Sequence, residues 1–155
     1  MRKLAVLVIL VLIVIAYYSN KTFDAQDYQP TSVQDRIQMV ESMLKKNHML
    51  FKVLGDNQVQ PNGKIVQRIQ TNESFEILAM PLIEPVEVTN YPNEFVGKMY
   101  TGDGLKLSEV KSDSGIRVKT VLPESEYPKK HSFEFINPND KPVKVRFYFV
   151  QEDKK

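Results

Sequence analysis

The stretch Val143-Lys-Val-Arg-Phe-Tyr-Phe-Val-Gln151 decides the fold class. Val143, Val145, Phe147 and Phe149 alternate with Lys144, Arg146, Tyr148 and Val150, which is the period of two at which successive side chains of an extended strand point to opposite faces. A slip of one residue would turn the whole apolar set to solvent, so the register is tightly specified. The pattern predicts a strand with one face on a core and one mostly polar face outward. Upstream, Phe133 and Phe135 alternate in the same way, and Asn137-Pro-Asn-Asp-Lys-Pro142 between the two runs has turn chemistry. The two runs read as a β-hairpin.

Working outward, short apolar runs at 64–70, 74–80, 85–89, 95–100, 105–110 and 115–122 are separated by turn residues at regular intervals. Pro81, Pro85, Pro92, Pro123 and Pro128 fall at run boundaries, where a missing backbone donor disturbs a ladder least. This texture predicts a mainly β protein, an antiparallel β-sandwich or partly open barrel. Phe133 to Phe149 resembles the final hairpin of many small β-sandwich adhesion and trafficking modules, a likeness that implies this fold and transfers no functional residue.

Before the strands the period changes. Ser32 followed by Asp35 resembles a helix start, and Val33, Ile37, Val40, Leu44, Phe51 and Leu54 recur at helical spacing until Gly55. The spacing predicts one amphipathic helix over 32–55. Met39, Met43, Met49 and Leu50 widen its apolar surface beyond a single stripe. Methionine adapts to irregular partners, so these four form a candidate partner face, set against the plainer reading that the helix covers an open side of the sheet.

At the N-terminus, Arg2-Lys3 precedes an uninterrupted apolar run from Leu4 to Ala16, through Leu7, Leu10 and Ile13, closed by Tyr17 and Tyr18. Its length lies between a signal-peptide core, about 7–15 residues, and a spanning helix of about 20. Interfacial tyrosines favour a retained anchor, whereas Ala16 before Tyr17 weakly suits cleavage. The basic pair holds the N-terminus in the cytoplasm either way, which puts the bulk of the chain on the periplasmic or extracellular side. The expected organisation is an anchor or signal peptide at 1–18, a polar tether at 19–31, the helix at 32–55 and a β-sandwich at 56–155, with 32–155 as one folded unit.

Composition narrows the function classes. Of 155 residues, 21 are basic and 19 acidic. Setting aside Arg2 and Lys3 leaves the signs in balance, which argues against a nucleic-acid partner. The absence of cysteine excludes disulfides, thiolate metal sites and a cysteine nucleophile. His48 and His131 stand in no metal-ligand spacing, and the oxygens of Asp103, Asn137, Asn139 and Asp140 match tight turns better than a calcium loop. Ser108, Ser112, Ser114, Ser125 and Ser132 occupy neither a GxSxG elbow nor an SxxK pair. No enzyme activity, cofactor or metal is expected.

Two surfaces remain. Arg117, Lys119, Lys144 and Arg146 lie at outward positions of two strands and would form a basic stripe for an anionic partner if those strands were neighbours. Tyr91, Tyr100 and Tyr127 offer stacking faces for a carbohydrate or small ligand. The sequence thus suggests a non-enzymatic, membrane-tethered extracytoplasmic β-sandwich working through protein contact, or self-association, as an accessory or assembly subunit of an envelope complex. The alternative is a secreted or periplasmic ligand-binding module with a cleaved leader.

Overall fold

A computed structural model describes residues 30–120 and 129–154. The expected anchor, Leu4 to Tyr18, and most of the tether lie outside these residues. Among the described residues, no helix is long and apolar enough to cross a membrane.

Ser32 caps the first element as its sequence suggests. Its Oγ accepts a hydrogen bond from the Asp35 N–H at 3.1 Å, satisfying one of the free donors of the first turn of α1 (Val33–Lys46). The helix ends well before Leu54. Lys45 and Lys46 lie in the last turn against the carbonyl end of the dipole, the Asn47 N–H closes onto the Met43 carbonyl, and His48 takes a φ of 54°. The chain then turns directly into β1 (Met49–Val59). Phe51 and Leu54 fit a helical count only by coincidence, since Met49, Phe51 and Val53 also alternate. Gly55 is no helix stop but the site of a register shift within β1, where its φ of 137° suits a residue without Cβ.

The remaining strands are β2 (Lys64–Thr71), β3 (Phe75–Pro81), β4 (Phe95–Thr101), β5 (Lys106–Ser112), β6 (Ile116–Thr120), β7 (Lys129–Ile136) and β8 (Val143–Glu152). The strand expected over 85–89 is instead a 3-10 helix, Pro85–Asn90. Proline pre-sets its first turn, and Val86, 85% exposed, meets no core.

The strands form two antiparallel four-stranded sheets, A in the order β1-β8-β3-β6 and B in the order β2-β7-β4-β5. Consecutive strands fall in opposite sheets except at the β4–β5 hairpin, a jelly-roll winding. β7 and β8 are therefore not a hairpin. The Asn137–Pro142 segment carries the chain from sheet B to sheet A, and its asparagines are buried rather than displayed in a turn.

Between the sheets lies the main core, centred on Phe75, Ile77, Phe95, Phe133, Phe135 and Phe147. Phe133 and Phe135 of sheet B meet Phe147 of sheet A edge-on at 6.3 and 6.1 Å, the geometry that ring quadrupoles prefer. Gly97 permits this closeness. A Cβ there would overlap Ile116 Cγ2 and crowd the Phe133 ring at 3.1 Å. A second core lies on the opposite side of sheet A, where Ile37 and Leu44 of α1 pack with Met80, Tyr148 and Val150. Tyr148 and Val150, expected on a mostly polar face, are thus buried beneath the helix.

The sheet crossing is held by two asparagines. The Asn137 side-chain amide donates to the carbonyls of Lys141 at 2.7 Å and Gln60 at 3.3 Å, while its oxygen accepts from the Asn139 N–H at 3.1 Å. Asn139 in turn exchanges two hydrogen bonds with the Asn93 backbone, at 2.8 and 2.9 Å. One residue pair thereby ties the β1–β2 turn, the segment before β4 and the crossing itself. Asn137→Ala strands several buried groups at once and is expected to cost about 2–4 kcal/mol. A lower urea midpoint at unchanged m-value would show this loss.

Candidate functional site

The candidate partner face does not form as one surface. Met39 is half-buried on α1, and Met43 on the same helix is 54% exposed. Met49 and Leu50 belong to β1, where alternation sends them to opposite sides of sheet A. Met49 packs against the second core, whereas Leu50 is 57% exposed on the other side. Met43 and Met49 come together. With Val40, Leu44, Leu78 and Val150 they line a cleft of about 280 Å³ between α1 and sheet A.

Opposite charges close one end of this cleft. Glu76 on β3 is largely buried and accepts from Arg117 Nε at 2.6 Å, with Lys119 Nζ at 3.9 Å. α1 is anchored beside it by Arg36, which donates to the carbonyls of Ser114 at 2.8 Å and Ile83 at 3.4 Å. Half-burial lowers the Arg36 pKa from its ordinary value. Tyr148 beneath the helix donates to Glu41 at 3.3 Å, and burial raises its hydroxyl pKa. The cleft walls are therefore fixed by polar contacts around an apolar floor, an arrangement suited to receiving an apolar side chain.

The expected basic stripe is interrupted. β3 lies between β6 and β8, so Arg117 and Lys119 do not adjoin Lys144 and Arg146. Each half carries its own carboxylate. Lys119 also reaches Glu152 at 3.2 Å, and Asp56 on β1 takes Arg146 Nε at 2.7 Å, Arg146 Nη2 at 3.0 Å and Lys144 Nζ at 3.8 Å. The face is a set of cross-strand ion pairs, not a free cationic surface.

The tyrosines do not converge either. Tyr91 packs on Phe95 and donates to the Pro142 carbonyl at 2.6 Å, while Tyr100, at the far end of β4, stands on the outer face of sheet B. Tyr127 and Ser125 lie outside the described residues. His131 is buried edge-on to Phe75, and His48 is exposed in the turn after α1. Ser112 accepts from the N–H groups of Ser114 and Gly115 in the β5–β6 turn, and Ser108 faces inward opposite Met99. Among the described residues, no group of three His, Asp or Glu side chains is placed to hold a metal ion.

A second concavity escaped the sequence reading. It occupies about 550 Å³ across one end of β2, β7 and β4 in sheet B, bounded by Arg68 and Gln70 of β2, Lys130 and Ser132 of β7, Thr101 at the end of β4, and Gly102. Each is unremarkable in its own strand. Only the β2–β7 and β4–β7 pairings gather them.

No known protein family matches the chain, and no curated protein matches it. Among solved structures it is similar to the Yersinia pseudotuberculosis-derived mitogen, at 11% identity and a TM-score of 0.42, over 69% of this chain and 88% of that one. It is also similar to the Podospora anserina GH26-CBM35 β-(1,4)-mannanase, at 11% identity and a TM-score of 0.35, over 70% of this chain and 29% of that one. Likenesses this distant say nothing of function.

The Asp56–Arg146 pair makes stability depend on acidity. The hydrogen bond from Arg146 holds the Asp56 carboxyl below the usual carboxylate range. Its contribution is whole above the unfolded value near pH 4 and is lost as pH falls through the lowered folded value. Arg146→Gln is expected to cost about 1 kcal/mol at pH 7, and the difference from wild type should vanish under acid conditions that protonate Asp56 in both states. Urea melts of the two proteins at stepped pH measure this convergence.

Proposed function

We propose that the chain is a non-enzymatic, membrane-tethered extracytoplasmic module that works through protein contact, as an accessory or assembly subunit of an envelope complex. The observation that carries this reading is the α1 cleft. An apolar floor of Leu44, Leu78 and Val150 opens to solvent beside the half-exposed Met43, and methionine lets such a floor fit more than one side-chain shape. The Leu4–Ala16 run supplies the anchor and residues 19–31 the tether, with Arg2 and Lys3 on the cytoplasmic side.

A second reading, a carbohydrate or small-ligand module, is favoured by the sheet B concavity, where Arg68 and Gln70 of β2 meet Ser132 and Lys130 of β7.

The protein-contact reading is tested on the full-length chain in a bacterial host. A photo-crosslinking residue replaces Met43 in one variant and Leu50, on the other side of β1, in a second. The expected result is a full-length mass in the membrane fraction, with crosslinks to one protein or to a second copy from position 43 and at least tenfold fewer from position 50. A mass beginning at Tyr17 in the soluble fraction, or equal crosslinking from both positions, would overturn it. Met43→Asp should abolish the position-specific complex while shifting stability by no more than about 0.5 kcal/mol, because Met43 already faces water.

A further inference from the structure

α1 covers the outer side of sheet A, whereas the outer face of sheet B has no helix over it among the described residues. Its register can be read in rows. Arg68 of β2 lies opposite Ser132 of β7, Ser132 opposite Tyr100 of β4, and Tyr100 opposite Lys106 of β5. The next row toward the open edge is Gln70 opposite Lys130. All point away from the core, because Phe133 and Ile69 at intervening positions are buried in it.

Charge is divided unevenly along this face. In the row below, Glu134 binds Lys64 at 2.8 Å, and Glu109 binds Lys106 at 3.2 Å and Lys98 at 3.8 Å. Around the concavity the balance is different. Arg68 and Lys130 are exposed, stand on a cross-strand diagonal about 7–8 Å apart, and form no ion pair among the described residues. Asp103, next to Gly102, accepts from the Thr101 hydroxyl. The site thus offers two donor-only cations, a guanidinium and an ammonium, beside the Gln70 amide and the Ser132 hydroxyl, which donate and accept.

We infer that this concavity is a binding site for a small oxyanion carried on a polyhydroxylated body, a sugar bearing a carboxylate or a phosphate ester. The guanidinium fork of Arg68 and the Lys130 ammonium take the oxyanion, since a planar fork matches the paired oxygens of either group. Gln70 and Ser132, which line the same concavity, hydrogen-bond ring hydroxyls. Gly102 keeps the mouth clear, because a Cβ there would come within 3.0 Å of the Lys130 backbone oxygen. The volume of about 550 Å³ holds one or two sugar rings. This inference names the ligand chemistry of the second reading above and is independent of the α1 cleft.

The test is calorimetric titration of the full-length protein in a polyoxyethylene detergent, which carries no sugar, with glucuronate, glucose 6-phosphate and glucose as probes. Binding of at least one anionic probe, at least tenfold tighter than glucose, is expected, and the preferred probe tells carboxylate from phosphate. Adding 0.5 M sodium chloride should weaken it several-fold. The double variant Arg68→Gln, Lys130→Gln should lose the preference tenfold or more with an unchanged urea midpoint, both positions being exposed. Equal binding of glucose and the anions would overturn the oxyanion inference while leaving a neutral-sugar module intact. No binding of any probe, or binding that survives the double variant, would overturn the site itself.

Discussion

Along β3 and β8 both faces of sheet A are apolar, and a strand buried on both sides demands two covers. Phe75, Ile77, Val145 and Phe147 turn toward sheet B, while Met80, Tyr148 and Val150 turn the other way. Each large apolar side chain fully removed from water contributes roughly 1.5–3 kcal/mol, so leaving either face open would remove a large part of a margin that is only about 5–15 kcal/mol in ordinary domains. Sheet B answers one face and α1 the other. The asymmetry that follows organises the surface. Sheet A is closed by a helix whose flank stays apolar, and sheet B presents its outer side chains directly.

How much of this was legible in the sequence depended on whether a feature was local. The inward alternation of Val143, Val145 and Phe147 was plain because period two is written along the strand itself. The Ser32 cap was plain for the same reason. The end of α1 was misplaced because Phe51 and Leu54 satisfy two periods at once. The better signal lay in Lys45-Lys46-Asn47, basic residues at the carbonyl end followed by a residue that tolerates a cap. Val86 and Val88 suggested a strand, but the proline before them starts a tight helical turn as readily. In Asn137-Pro-Asn-Asp the same side chains serve an exposed turn or a buried crossing, and composition does not separate the two.

The surfaces were less legible because they depend on which strands adjoin. Glu76 and Asp56, which neutralise Arg117 and Arg146, lie on β3 and β1 and came into play only through non-local pairing. Arg68 and Lys130 were invisible for the converse reason. Each is an ordinary outward cation on its own strand, and only the β2–β7 ladder joins them into a pair that has no ion-pair partner among the described residues. Local pattern therefore revealed the layers, while charge relations across a sheet needed the strand order.

The position of β8 also governs the order in which the molecule can assemble. It is the last of the eight strands, yet it sits between β1 and β3, and its Asp56–Arg146 contact joins residues 90 apart in sequence. β7 likewise lies between β2 and β4. Neither sheet has a complete middle until β7 and β8 are present, and pairings this distant in sequence make such folds slow. Residues 33–120 supply six of the described strands yet complete neither sheet on their own, so the two layers close only when β7 and β8 enter between strands that precede them.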